Sequence, residues 1–220
     1  MANAKSVAQV QSEFGVNLPG QWEAIPWVLY DYQAYAAAGA SQLSFFQAPV
    51  GQSGKTYEDT NMVLAGQLSK NNAFLIHAIE VAFWPTVPGV AADNPAAFGA
   101  EAIANIVNDV YAINHSGYLQ LTVNNKVYMT DGPLGQFPSK RNMELSAALA
   151  DASTAGADLQ SRIAYAYNGG DQRQWGDLPI FLEESQSFGV TLNWPNGKAV
   201  VTNPARIGIR MAGTLYRTAQ

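Results

Sequence analysis

The sequence predicts an all-β sandwich, and three observations predict it. From Phe188 to Trp194 apolar residues (Phe188, Val190, Leu192, Trp194) alternate with small or polar ones (Gly189, Thr191, Asn193). That period of two marks a strand with one buried and one solvated face. A second alternation near the C-terminus places Ile207, Ile209, Met211 and Leu215 on one side and Arg206, Arg210, Thr214 and Tyr216 on the other. The third observation is number: roughly eight to ten such segments, separated by Gly, Pro and Asn turn signals, are spread along the chain.

The two terminal segments are expected to be the central pair of the sandwich. Pro195-Asn196-Gly197 lies between them, and Asn-Gly is the dipeptide that a type I′ hairpin turn favours. A strand as long as the last one needs neighbours on both sides, because an uncovered edge is a template for aggregation.

Residues 1–20 are expected to form an N-terminal arm with a short helix from Val7 to Phe14, stopped near Gly15, and residues 21–220 a single domain. Ala24 to Tyr35 and Gln42 to Gln47 read as strands, and Asn61 to Leu68 as partly buried. The run from Ala73 to Pro85 is apolar on both faces, as in a strand covered on two sides. Strict alternation puts Phe74, Ile76, Ala78 and Trp84 on one face and Leu75, Ile79, Val81 and Phe83 on the other. Asp93-Asn94-Pro95 is a helix start, and an inserted helix is expected from 95 to 114. Its apolar stripe is Phe98, Ile103, Ile106, Val107 and Val110; Glu101, Asn105, Asn108 and Asp109 face away, and Gly117 is the stop. Tyr118 to Val123 and Lys126 to Thr130 form a hairpin around Asn124-Asn125. Asn142 to Ala152 has helical spacing, Arg162 to Tyr167 reads as a strand, and 167–178 as a loop.

Composition narrows the functional classes. Only 13% of residues are charged, against about 25% in an average soluble domain. So few charges suit either a large sandwich with a polar, Asn/Gln/Ser/Thr-rich exterior or a subunit that hides much of its surface in an assembly, and the second is slightly favoured. The net charge is −5, and Lys140-Arg141 is the one adjacent basic pair. That argues against a direct nucleic-acid-binding face, which needs clustered Lys and Arg. Without cysteine there are no disulfides and no thiolate chemistry. No N-terminal apolar core of a signal peptide is present, and no run reaches the length of a membrane span, so ordinary export and membrane insertion are not expected.

Candidate chemical sites are few, and each has a plainer reading. Gly54-Lys55-Thr56 matches the end of a phosphate-binding loop, but the pattern requires glycine where Pro49 stands. Proline has no N–H to give a phosphate, so an ordinary surface loop is expected. His77 and Glu80 fall in one strand on opposite faces and cannot share a ligand without a bulge. His115 is expected at a helix C-terminus, where an imidazolium meets the dipole favourably. Glu183 and Glu184 are sequence neighbours that would point to opposite faces, unlike the facing carboxylates of a glycosidase. No catalytic, cofactor or metal residues are assigned.

Three runs carry a resemblance: TNMVLAGQL…AFLIHAIEVAFWP (Thr60 to Pro85), LPIFLEESQSFGVTLNW (Leu178 to Trp194) and RIGIRMAGTLYR (Arg206 to Arg217). Together they resemble the jelly-roll capsid proteins of tailless icosahedral bacteriophages. The resemblance implies a subunit that assembles with itself into capsomers, forms the virion shell with other virion proteins, and has no enzymatic activity. It implies assembly in the host cytoplasm, and in many such phages an internal membrane beneath the shell. Many of those proteins are double jelly rolls, which need roughly sixteen strands. The strand count here favours a single jelly roll with one inserted helix, with a compact double one as the alternative. The rival function is a carbohydrate-binding module or a receptor-binding virion protein on the same fold, in which Trp22, Trp27, Trp175 or Tyr216 would stack on sugars.

Overall fold

The structure, a computed structural model, describes residues 5–15, 22–85, 108–139, 143–150, 160–167, 173–174 and 180–218, with the backbone alone for 143–150, 160–167 and 173–174. It is an all-β sandwich of two antiparallel sheets. The strands are β1 (Trp22–Tyr35), β2 (Gln42–Phe45), β3 (Asn72–Pro85), β4 (Tyr118–Val123), β5 (Lys126–Asp131), β6 (Met143–Ala150), β7 (Gln160–Tyr167), β8 (Arg173–Gln174), β9 (Ile180–Leu182), β10 (Phe188–Asn193) and β11 (Ala205–Thr218). One sheet runs β1-β11-β3, with β8 and β9 sharing the far side of β3; the other runs β2-β10-β4-β5. β6 and β7 pair only with each other among the described strands.

Leaving aside β6, β7 and the two-residue β8, the pairings are nested. β1 pairs with β11, β2 with β10, β3 with β9, and β4 with β5. Successive pairs fall in alternate sheets. β10 and β11 are therefore each central, but in opposite sheets, which corrects the expected hairpin between them. The Pro195-Asn196-Gly197 turn has positive φ only at Gly197, at 117°. A type I′ turn requires it at both central residues, so the chain crosses the sandwich here rather than folding back.

The core lies between the sheets. β10 contributes Phe188, Val190 and Leu192, followed by Trp194; β11 contributes Ile207, Ile209, Met211 and Leu215. A fully buried side chain of this kind contributes about 1.5–3 kcal/mol relative to exposure, so the alternation of these strands holds the layers together.

β3 departs from strict alternation. Its register against β11 slips between Ala212 and Gly213, with Ile76 opposite Gly213 and Ala78 opposite Ala212, so His77 is the extra residue of a bulge. Phe74 and Ile76 face the core before the bulge; Ile79, Val81 and Phe83 face it after. The expected division of faces is thus overturned at one residue, because a bulge shifts the period-two phase. Gly213 makes this possible: a Cβ there would lie 2.0 Å from the Leu75 carbonyl oxygen.

α1 spans Val7–Phe14, with a Ser6–Gln9 capping box and Gly15 left-handed at its end (φ 66°). It packs outside the main core through Val10 on Ala73, Leu75 and Tyr216. Of the expected inserted helix, residues 108–114 are helical and Gly117 has φ 69° beyond its end, while 95–107 lie outside the described residues. Asp109, expected to face away, is buried and accepts from the Thr202 backbone N–H (2.8 Å) and hydroxyl (3.0 Å). The expected helix at 142–152 is instead β6, paired from Met143↔Tyr167 to Ala150↔Gln160. Its apolar residues fit either period, and pairing with β7 decides. β8, within the expected loop, pairs with Ala78 and Ile79 of β3.

Replacing Gly213 with alanine forces the bulge apart. Overpacking of this kind costs about 2 kcal/mol, and thermal unfolding should show Tm lowered by roughly 4–8 °C.

Candidate binding surface

An open apolar feature sits on the edge of β1. Asp59 and Asn61 act as a surrogate neighbouring strand. The Tyr32 N–H donates to the Asp59 carbonyl (2.7 Å), and the Asn61 side chain accepts from the Tyr30 N–H (3.1 Å) while donating to the Val28 carbonyl (2.7 Å). An Asx side chain can stand in for backbone in this way, and it covers the edge only as far as Val28. Pro26, just before, fits an edge strand because it lacks the N–H that a ladder would need.

Beneath this loop Asp31 is fully buried. Its carboxylate accepts from the Phe46 N–H (2.6 Å) and pairs with the Lys55 ammonium. Burial pushes its pKa up, against the opposing pull of Lys55 and the Phe46 N–H. Lys55 of the apparent phosphate-binding motif is thus turned inward as a counter-charge that clamps residues 48–60 onto β1. Asp31 carries no role in the sequence reading. Its signal is a single acidic residue inside the apolar run IPWVLYDYQAY, which demands a buried partner.

Where the loop leaves the edge, a cleft of about 720 Å³ opens, lined by Pro26, Trp27, Val28, Tyr57, Val63 and Ala212, among others. Trp27 is 43% exposed, Tyr57 71% and Val63 67%. The lining offers aromatic and aliphatic faces with no carboxylate, lysine, arginine or histidine. Such a lining of apolar and aromatic faces, with the Tyr30 and Tyr57 phenols among its few polar groups, is suited to making contacts. Tyr57 went unassigned in the sequence because it stands in a polar, Gly-rich loop; a large aromatic there is itself the signal.

The other sequence candidates are dispersed. Trp22 packs near α1, Tyr216 is buried with its hydroxyl donating to the Lys5 carbonyl (2.8 Å), and Trp175 lies outside the described residues. His77 and Glu80 share the outer face of β3, because the bulge brings His77 round; this corrects their expected separation. Even so they have different partners: His77 Nε2 lies 3.0 Å from the Thr214 hydroxyl, and buried Glu80 pairs with Arg210 at 2.7 Å. Glu183 and Glu184 are exposed at the turn after β9, where Glu184 accepts from the Asn71 N–H (2.6 Å). His115 stacks on Tyr111, with centroids 4.0 Å apart, and lines a second groove of about 470 Å³ with Trp194 and Val200. Among the described residues no three His, Asp or Glu side chains gather as a metal site.

No family model and no curated protein matches the chain. Among solved structures, a crystal structure of the decameric BFDV capsid protein aligns at 9% identity, covering 89% of this chain and 100% of that chain with a TM-score of 0.12. Similarity at that level carries no argument about fold or function.

The Asp31–Lys55 pair has a definite pH signature. A carboxyl whose native pKa is raised stabilises the fold fully below its ordinary value of 3.8 and progressively less as pH rises through the native value. Lys55→Met removes the counter-charge and strands a buried carboxylate, a change that costs about 3 kcal/mol near neutrality. Tm measured from pH 4 to 7 should fall more steeply with pH in the variant than in the parent.

Proposed function

We propose that the chain is a structural capsid protein that assembles with itself into capsomers of an icosahedral virion shell. The observation that carries this reading is the nested pairing of eight strands, first with last and inward, dealt alternately to two sheets. That is the layout expected of a single jelly roll, whose wrapped double sheet is suited to close packing as a shell tile.

The surface supports association. Trp27, Tyr57 and Val63 are exposed around one cleft, Val127 and Tyr128 on β5, and Tyr111 and Val200 near the second groove. Exposed aromatic and aliphatic groups gathered in patches mark contact surfaces. With only 13% charged residues, little electrostatic repulsion stands against burying them.

Light scattering across a concentration series tests the proposal, with trimers, pentamers or larger closed particles as the expected species. A monomer of 23.6 kDa that persists at every concentration would sink it. The paired substitution Trp27→Asp and Val63→Asp should reduce the assembled fraction at least tenfold, since each buried interface anchor carries about 2 kcal/mol. Its Tm should stay near that of the parent, because both side chains are already exposed.

A second reading rests on the same cleft. Trp27 is the one sugar-stacking candidate of the sequence that the described residues leave substantially exposed, and Tyr57 stands beside it. If the cleft binds glycans, a glycan array gives specific signals that Trp27→Ala abolishes; an array without specific signals removes this reading.

A further inference from the structure

We propose that the cleft at the edge of β1 is a docking site for a proline-rich segment of a partner protein, held in the extended polyproline II form. The proposal rests on the reading of this cleft as a contact surface, and it names what the contact receives.

The edge is poorly made for adding a strand. β1 turns the N–H and C=O groups of its even-numbered residues outward: the Tyr32 N–H goes to the Asp59 carbonyl and the Tyr30 N–H to the Asn61 side chain. By the same alternation Pro26 and Val28 turn theirs outward where the cleft lies. Pro26 has no N–H to offer, and the Val28 carbonyl is already bonded to the Asn61 amide (2.7 Å). An antiparallel neighbour exchanges both bonds at every second residue, and neither position offers a complete free pair. A ligand here is bound by side chains and single backbone groups, not by extension of the sheet.

The balance of donors and acceptors narrows its chemistry. The Val28 carbonyl is spent on Asn61, the Tyr57 carbonyl on the Tyr30 hydroxyl, and the Asn61 side-chain oxygen on the Tyr30 N–H. What remains is weighted toward donors. Among the described residues the Trp27 indole N–H and the Tyr57 hydroxyl have no hydrogen-bond partner, and the Val28 N–H faces outward beside them. Donors of this kind call for carbonyl oxygens. Sugar hydroxyls bring a donor with each acceptor, whereas a run of prolines brings carbonyls and no N–H.

Shape and charge agree. Trp27 and Tyr57 are exposed, and with Pro26, Val63 and Ala212 they present flat and aliphatic faces; no charged side chain lines the cleft. Pyrrolidine rings pack on such faces, and aromatic-lined grooves are how polyproline II segments are recognised. A proline-rich segment holds that form before it binds, so docking orders little further chain. The volume of about 720 Å³ suits a short stretch of such a segment.

The test is a fluorescently labelled polyproline peptide of about ten residues, titrated into the full chain and read by anisotropy. The protein is diluted until light scattering shows its smallest species, so that assembly does not cover the cleft. Saturable binding is expected, and an alternating Thr-Val peptide of the same length, which favours strands, should bind at least tenfold more weakly. Trp27→Ala should weaken polyproline binding at least tenfold. Tyr57→Phe, which keeps the ring and loses the donor, should weaken it about threefold. Both variants should keep the Tm of the parent, which separates a lost contact from a lost fold. No saturable binding, equal binding of the Thr-Val peptide, or unchanged affinity in Trp27→Ala would overturn the proposal. Assembly without peptide binding overturns this proposal alone; peptide binding by a chain that stays monomeric at every concentration overturns the shell reading alone.

Discussion

β11 is hydrogen-bonded on both edges over most of its fourteen residues, to β1 from Trp22↔Thr218 to Tyr35↔Ala205 and to β3 from Asn72↔Arg217 to Pro85↔Ala205. Its odd-numbered residues from Ile207 to Met211 fill the space between the sheets. Its even-numbered residues have no freedom either: a Cβ at Gly208 would lie 1.8 Å from the Tyr32 ring, and that ring stacks on Trp84 with Arg206 above both. One strand thus fixes the spacing of β1 and β3, the floor of the core and the outer surface against which α1 rests. The bulge at His77 is a local adjustment to it, needed because β3 must keep apolar residues facing inward along its whole length.

Much of this was legible in the sequence because it is written in short-range periodicity. The alternation of β10 and β11, the β4–β5 hairpin around Asn124-Asn125, and the Val7–Phe14 helix with its terminal glycine all follow from local rules that the structure obeys. What was not legible is long-range. Nothing in Pro195-Asn196-Gly197 says that the strands around it belong to different sheets. Nothing in Met143–Ala150 chooses a strand over a helix until β7 is beside it. The phase shift in β3 depends on a glycine 136 positions away in the partner strand, facing Ile76 rather than its neighbour.

The candidate cleft was less legible still. Trp27 stood out as an aromatic residue, but its exposure depends on where the 48–60 loop stops covering β1, which is set by Asn61 and the buried Asp31–Lys55 clamp. The low charge of the sequence also has a sharper meaning in the fold. Asp31, Glu80 and Asp109 are all buried, so carboxylates are withdrawn from a surface already poor in charge. Among the described residues, Lys55 and Arg210 are drawn in with Asp31 and Glu80 as their partners, so part of the chain's sparse charge is spent inside the fold.

The nested pairing also governs the order in which the chain can become stable. β1 and β3 flank a strand that emerges from synthesis after every other described strand, and Trp22 finds its partner only at Thr218. Until then two fourteen-residue strands have no neighbour between them, and closing so long a loop is slow. Until β11 is in place, β1 and one side of β3 are therefore open sheet edges, of the kind that templates pairing with another chain.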